Sequence, residues 1–511
     1  MKFCTRAVFF LIILNLGLQA QTSGAPSLPE VMQSGPQVID INAGGAARPF
    51  PHFWERMFGS GRAILSLREG YRRDLRDVKK ITGLEYIRFH AIFHDEVGVY
   101  DEDAQGKPVY NFSYVDQIYD GLLDNGVRPF VELSFTPYKL ASDKNAIHPF
   151  WYKQNVSPPK DYERWDDLIY QFTQHLADRY GVDEVAKWYF EVWNEPNIDF
   201  WAGNPKEKTY YELYDHTARA VKRVSARLRV GGPSTAQAAW ADRFIAHCAA
   251  ANVPVDFVST HVYANDTAPD VFGTQEVIPR DQMVCRAVKK VHDQIRASAK
   301  PGLPLIWSEY NASYKNEPEV TDALYMGPWL AGTIAQCDGL VDVMSYWDFS
   351  DVFEEQGVVK QPFYGGFGLV AAGGLPKPAF NVFKILHRLG DKRVAWNDNS
   401  ALVTKKADGS LAIAVWNYSA PESSGSPREV TLNFKGLSAG VHRATIHRVD
   451  AKHGSPLALY EKMGRPQFPS REQQKELRQA AQLPPAQIRE IKDNQLKVML
   501  PPFGLAVVEV H

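Results

Sequence analysis

The sequence predicts an α/β chain: a (β/α)8 TIM barrel followed by a β-sandwich. Two observations carry this. Between Trp54 and Trp347, short apolar runs alternate with charge-faced helical stretches about eight times, the pattern of a parallel β/α architecture. Beyond Lys377-Pro378 that alternation stops and period-two strands take over, the first pair flanking Asp408-Gly409, a strong hairpin signal.

Residues 1–20 read as a secretory signal peptide. Lys2 and Arg6 make a basic start, residues 7–18 are an apolar run too short to span a bilayer, and Leu18-Gln19-Ala20 is a cleavage site with an oversized residue three before the cut. This predicts a secreted or periplasmic protein. Residues 21–36, rich in Ser, Gly and Pro, form a flexible lead-in. The catalytic barrel is assigned to 37–390 and the sandwich to 391–511, with an alternating strand at 37–42 that either opens the barrel or pairs with the sandwich.

The barrel strands begin near 54–58 and continue at 84–93, 127–135, 188–193, 228–232, 257–261, 305–308 and 341–347. Each is rich in apolar and β-branched residues on both faces, as a strand covered by helices must be. Helices with capping residues lie between them, at 161–180, 206–228 and 281–300. A helix at 380–389 closes the barrel. The sandwich strands are 401–406, 411–416, 430–434, 443–449, 495–500 and 505–510, with a polar helical insertion at 471–482. No internal repeat or low-complexity tract is apparent.

With 511 residues, 45% of them hydrophobic, the chain can bury more than one core. A formal charge of −2 implies neither nucleic acid nor an anionic membrane surface as partner. Past the leader, Cys248, Cys285 and Cys337 remain. Three cysteines make no disulfide framework, although one bridge with a free thiol is allowed; no pair has zinc-ligand spacing, and they read as small core residues.

The chemistry sits at two strand exits. Trp188-Tyr189-Phe190-Glu191-Val192-Trp193 runs into Asn194-Glu195-Pro196, and Pro196 ends the ladder there because it has no N–H to donate. Leu305-Ile306-Trp307-Ser308 runs into Glu309 in the same way. Roughly three βα units fit between them, so if Glu195 ends the fourth strand Glu309 ends the seventh, across the barrel mouth where such folds place their chemistry. A lone Glu-Pro is more often a turn; the second carboxylate changes the odds. Asn194 offers donors and an acceptor to a sugar hydroxyl. Glu191 points from within its strand and suits a structural partner such as Arg88.

The stretch 188–197 resembles the active-site signature of glycoside hydrolase family 39, which holds retaining β-xylosidases and α-L-iduronidases. Tyr86-Ile87-Arg88-Phe89-His90, residues 125–132, 158–162, 253–258, 345–355, 365–369 and 463–466 resemble its bacterial β-xylosidase branch, so the likeness covers roughly 35–511. It implies Glu195 as acid/base and Glu309 as nucleophile of a two-carboxylate double displacement. It also implies Tyr263 orienting Glu309, His261 and His90 binding sugar, and Glu354 and Glu355 as hydroxyl acceptors. Trp347 is a core aromatic or a stacking platform for a sugar face, and Tyr314 is a wall candidate.

An iduronate carboxylate would need a cation, and the sixth-strand exit offers none. The eighth-strand exit carries Asp348, Asp351, Glu354 and Glu355, which repel an anion. The expected reaction is therefore removal of terminal xylose from β-1,4-xylooligosaccharides. The same chemistry on an α-L-arabinopyranoside, β-galactoside, β-glucoside or α-L-iduronide is the alternative, as is a non-catalytic carbohydrate-binding protein. No cofactor is expected, and no metal, because spacing shows no cluster of coordinating ligands. The chain could form a homo-oligomer.

Overall fold

A strand buried on both faces cannot be left at an edge, and eight such strands solve the problem by closing. In the computed structural model, which describes residues 37–395, 400–437 and 440–511, they are β1 Met57–Gly59, β2 Tyr86–Phe89, β3 Arg128–Leu133, β4 Tyr189–Val192, β5 Arg229–Thr235, β6 Phe257–Tyr263, β7 Leu305–Asn311 and β8 Val343–Tyr346. All neighbours are parallel, and β8 returns to β1 through Ser345–Met57 and Tyr346–Phe58. Helices cover the outside. The one at Tyr162–Tyr180 starts where Asp161 accepts from the backbone N–H groups of Glu163 and Arg164, and stops at Gly181, whose φ of 81° an L side chain resists. The helix expected at 206–228 ends earlier, at Val224, because Ser225 turns extended.

The barrel interior is layered by the two-residue period of its strands. At the bottom, Met57, Tyr86, Phe130, Phe257, Ile306 and Val343 pack with Tyr189 into an apolar plug. Two residues further along β2, β3 and β4, the same inward face carries Arg88, Glu132 and Glu191, all buried. The plug thus supports an ionic layer directly beneath the C-terminal mouth.

Two sheets follow. Gln37–Asn42 pairs in parallel with Arg428–Lys435, which pairs with Gln495–Leu500. A seven-stranded sheet runs Ala47–Pro49, Lys392–Val394, Ala401–Lys405, Leu411–Trp416, Leu505–Val510, Arg443–Val449 and Gln487–Glu490. Ile39, Ile41, Leu432 and Val498 on one sheet meet Val403, Ile413, Val415 and Val508 on the other. Gly409, at φ 86°, supplies the hairpin between Ala401–Lys405 and Leu411–Trp416.

Of the cysteine alternatives, one bridge with a free thiol is the one present. Cys285 and Cys337, 5.2 Å apart at Cα, form a disulfide between helices Arg280–Arg296 and Met326–Cys337, while Cys248 is a buried free thiol. No regular spacing announces the pair, because the helices meet only through packing outside β7. The leader at 1–20 and the lead-in at 21–36 lie outside the described residues. Among the described residues no helix is long and apolar enough to cross a membrane.

Candidate active site

Arg88, fully buried on β2, is the hub of the site. Its Nε donates to Glu191 at 2.6 Å, its Nη2 pairs with Glu132 at 2.7 Å and donates to Asn194 Oδ1 at 2.9 Å, and its Nη1 reaches Glu309 Oε1 at 2.5 Å. Burial opposes its charge, but Glu132, Glu191 and Glu309 more than offset this and raise its pKa. The partnership with Glu191 anticipated from sequence is present.

Glu309 faces inward because the ladder breaks. Ser308 already faces the interior, donating to Glu191 at 2.7 Å, so in a regular pleat its neighbour would face out. The β6–β7 register skips there, pairing Thr260 with Trp307 and His261 with Glu309, and this bulge turns Glu309 inward as well. Tyr263 Oη then donates to Glu309 Oε2 at 2.7 Å. On the opposite exit, Trp193 and Glu195 hold positive φ values of 73° and 47°, strained backbone of the kind that collects at functional sites. This conformation aims Asn194 at Arg88 and Glu195 at the cavity.

The two carboxyl groups experience different fields. Burial raises the pKa of Glu309, while Arg88, His90 and Tyr263 oppose the rise. Burial, the Glu309 charge and Asp266 push Glu195 well above the usual carboxylate range. Between them Glu195 holds the proton, because it has no cation in contact. The hydrogen bonds agree. The Ser308 hydroxyl gives its proton to Glu191, so its oxygen accepts from His261 Nε2–H at 3.1 Å. His261 Nδ1 is then a lone pair, 3.0 Å from Glu195 Oε1, and accepts from the Glu195 carboxyl. Burial, Arg88 and His90 hold the His261 pKa well below 6.5, which keeps the ring neutral.

His90, Asn194, Glu195, Tyr263, Glu309, Tyr314, Trp347 and Glu355 line one cavity of about 410 Å3. Trp347 lies across β1, where Gly59 is obligatory: a Cβ there would stand 2.1 Å from the indole. Tyr314, 46% exposed, stands edge-on to Tyr263 at the mouth. Glu355 sits 3.8 Å from His90 Nε2, and burial together with Glu309 and Asp348 raises its pKa well above the ordinary range. Two of the expected residues lie outside the lining. Glu354 does not line the cavity: its carboxylate is held by Arg62 at 3.1 Å and by Arg68, so it braces the loop rather than accepting from a sugar. His261 is completely buried behind Glu195, outside the cavity lining, with its Nδ1 3.0 Å from the Glu195 carboxyl.

The acidic strand-8 exit also differs from expectation. Asp351 pairs with Lys377 at 2.8 Å, and Asp348 is buried away from the cavity. Asp266 and Asp270 take their place in the lining, with Phe150, Phe200 and Gln237. These come from long connections with no period to betray them; Asp266 alone had a signal, lying three residues past Tyr263, whose backbone N–H it accepts at 2.7 Å. Burial raises the Asp266 pKa to about 6. Glu195, His261 and Glu309 bring one potential ligand atom each within 4.8 Å of the others, a cluster that spacing alone did not reveal. Arg88, Tyr263 and the Glu195–His261 bond already engage those atoms.

The family description "Glycosyl hydrolases family 39" matches residues 37–493. The chain belongs to that family, and it is a glycoside hydrolase. It is 40% identical over 448 residues to a β-xylosidase of Geobacillus stearothermophilus, covering 85% of this chain and 87% of that one. A β-xylosidase of Caldicellulosiruptor saccharolyticus is 36% identical over 457 residues, covering 87% and 91%. The crystal structure of a monomeric β-xylosidase from Caulobacter crescentus superimposes with a TM-score of 0.84 at 34% identity, covering 93% of this chain and 99% of that one. The family likeness read from the motifs and the barrel read from strand alternation both stand.

Proposed function

We propose that this family 39 hydrolase is a retaining exo-β-xylosidase that releases terminal xylose from β-1,4-xylooligosaccharides. The observation that carries the reading is the approach of a Glu195 oxygen to a Glu309 oxygen within 4.8 Å. Retaining pairs stand about 5–5.5 Å apart, whereas inverting pairs leave about 6.5–9.5 Å for a water.

Glu309, ionised against Arg88 and aimed by Tyr263, attacks the anomeric carbon as Glu195 turns its carboxyl proton from His261 Nδ1 to the glycosidic oxygen and gives it up there. The C–O bond to the leaving group breaks and a glycosyl ester forms on Glu309. Esterification removes the Glu309 charge that helped to raise the Glu195 pKa, so Glu195, now a carboxylate, deprotonates the incoming water. Water attacks the anomeric carbon, the ester bond breaks, and both groups return to their starting states. Asn194, its oxygen held by Arg88, offers its NH2 to a substrate hydroxyl.

A neutral sugar is favoured because, among the described residues, neither lysine nor arginine lines the cavity, while Glu195, Asp266, Asp270, Glu309 and Glu355 do. Likeness to two β-xylosidases supports xylose within that class. Export is supported by the basic-then-apolar leader and by the Cys285–Cys337 disulfide, which suits an oxidising compartment.

The test is hydrolysis of aryl β-xyloside, α-L-arabinopyranoside, β-galactoside, β-glucoside and α-L-iduronide, with Glu309→Ala as control. Fastest turnover of the β-xyloside with a β-configured first product, lost in the variant, is expected. Another sugar leading would refute the substrate, and binding without turnover would refute the enzyme.

A further inference from the structure

The fold assembles a second group of ligand atoms on the opposite face of the barrel. His52 and Glu55 precede β1, and His387 caps the helix Pro378–Leu386, so the group lies at the N-terminal ends of the strands. His52 Nδ1 stands 2.7 Å from Glu55 Oε1, His387 Nδ1 stands 2.8 Å from the same oxygen, and all three atoms lie within 4.8 Å of one another. Glu55 is buried, whereas the His387 side chain is 47% exposed and leaves a path from solvent.

The His52 ring supplies an independent observation. Its Nε2 faces the Gly390 carbonyl at 3.3 Å, and a carbonyl only accepts, so the ring proton belongs on Nε2. Its Nδ1 faces the Glu55 carboxylate at 2.7 Å, a contact that either a proton on Nδ1 or a metal ion replacing that proton satisfies, so the ring is already turned toward a cation at this focus. A ring nitrogen donating to a backbone carbonyl while the other faces a shared focus is the arrangement that orients metal-binding histidines. The orientation is also fixed in advance: His52 packs on Trp54, with ring centroids 4.4 Å apart, and against Phe50.

We propose that His52, Glu55 and His387 bind a zinc ion that staples the base of the barrel to the chain leading into the β-sandwich. Two imidazole nitrogens and one carboxylate oxygen suit zinc and disfavour calcium or magnesium, which take oxygen ligands. Tetrahedral zinc with bonds of roughly 2.0–2.2 Å puts its ligand atoms about 3.3–3.5 Å apart, so the three side chains need only open slightly, and water takes the fourth position. His387 leads into Gly390 and then Lys392–Val394, the strand that joins the sandwich, so the ion ties two parts of the chain that fold from distant sequence. The group is remote from Glu195 and Glu309, so occupancy leaves glycoside hydrolysis unchanged.

The experiment uses the full chain stripped with a chelator, titrated calorimetrically with zinc chloride alone, with calcium chloride as control, and followed by thermal denaturation. One zinc per chain and a raised Tm are expected, with no response to calcium. His387→Ala, a half-exposed position, keeps aryl glycosidase activity but weakens zinc binding at least tenfold and loses the Tm shift. A crystal soaked in zinc shows the anomalous peak between the three residues. The proposal is overturned if zinc does not bind, if His387→Ala binds it equally well, or if the peak lies at Glu195, His261 and Glu309.

Discussion

At the scale of single residues, the site works by unequal fields on two glutamates. In the double displacement proposed above, activity needs Glu309 ionised and Glu195 protonated, so it falls as pH drops through the Glu309 pKa and as pH rises through that of Glu195. Asp266 helps to hold the Glu195 pKa up. Asp266→Asn keeps an oxygen for the Tyr263 N–H and removes the charge, so the alkaline limb of kcat/KM moves to lower pH while the acid limb stays; an unmoved alkaline limb would rule Asp266 out. Glu195→Ala loses the acid, so xylobiose hydrolysis falls about 10²–10⁴-fold. Formation of the glycosyl ester from a dinitrophenyl xyloside, whose leaving group needs no proton, falls far less, and pre-steady-state release of dinitrophenolate reads it. Arg88→Lys keeps one charge but cannot fork to three carboxylates. Leaving buried anions unpaired costs roughly 3–5 kcal/mol, visible in urea unfolding as well as in lost activity.

Elements show why part of this was legible in the sequence and part was not. Glu195 and Glu309 stood out because an apolar strand ending in a carboxylate is a local pattern; His90 and Tyr263 came from the family resemblance, and Trp347 from its place at the end of a strand. Glu354 misled because an exit loop carries no record of which way it turns: Glu355 faces the cavity and Glu354 faces Arg62 and Arg68. The inward turn of Glu309 depends on a register skip between strands, a tertiary event with no signature of its own. The disulfide is similar, since Cys285 and Cys337 lie 52 residues apart on different helices. Closing a loop of that length restricts the unfolded chain by about 4 kcal/mol in the loop-entropy account. Replacing both cysteines by alanine lowers the denaturant midpoint with little change in KM, since the pair is remote from the cavity; an unchanged midpoint would mean that the bridge contributes no net stability.

Across the whole molecule, the central strands of the seven-stranded sheet are buried on both faces, which explains why Leu411–Trp416 and Leu505–Val510 read as apolar throughout rather than alternating. Ile413, Val415 and Val508 face the three-stranded sheet. The intervening Ala412, Ala414, Trp416, Leu505 and Val507 belong to the same core as the barrel helices, with Met326, Leu330 and Val382. The two-residue period therefore splits one sheet between two cores, and the sandwich is a wall of the barrel as much as a structure of its own. Arg388, just past the closing helix, pairs with Glu509 on the last strand at 3.0 Å and adds a polar tie at the seam. Such a shared core makes the two regions unfold together. Differential scanning calorimetry of the full chain then gives one transition whose calorimetric and van't Hoff enthalpies agree. A chain ending at residue 390 exposes Met326, Leu330 and Val382 to water and aggregates on expression. Two separated transitions, or a soluble and active truncated barrel, would show that the sheet's barrel-facing side contributes little, and the sandwich would have to be regarded as an appended domain.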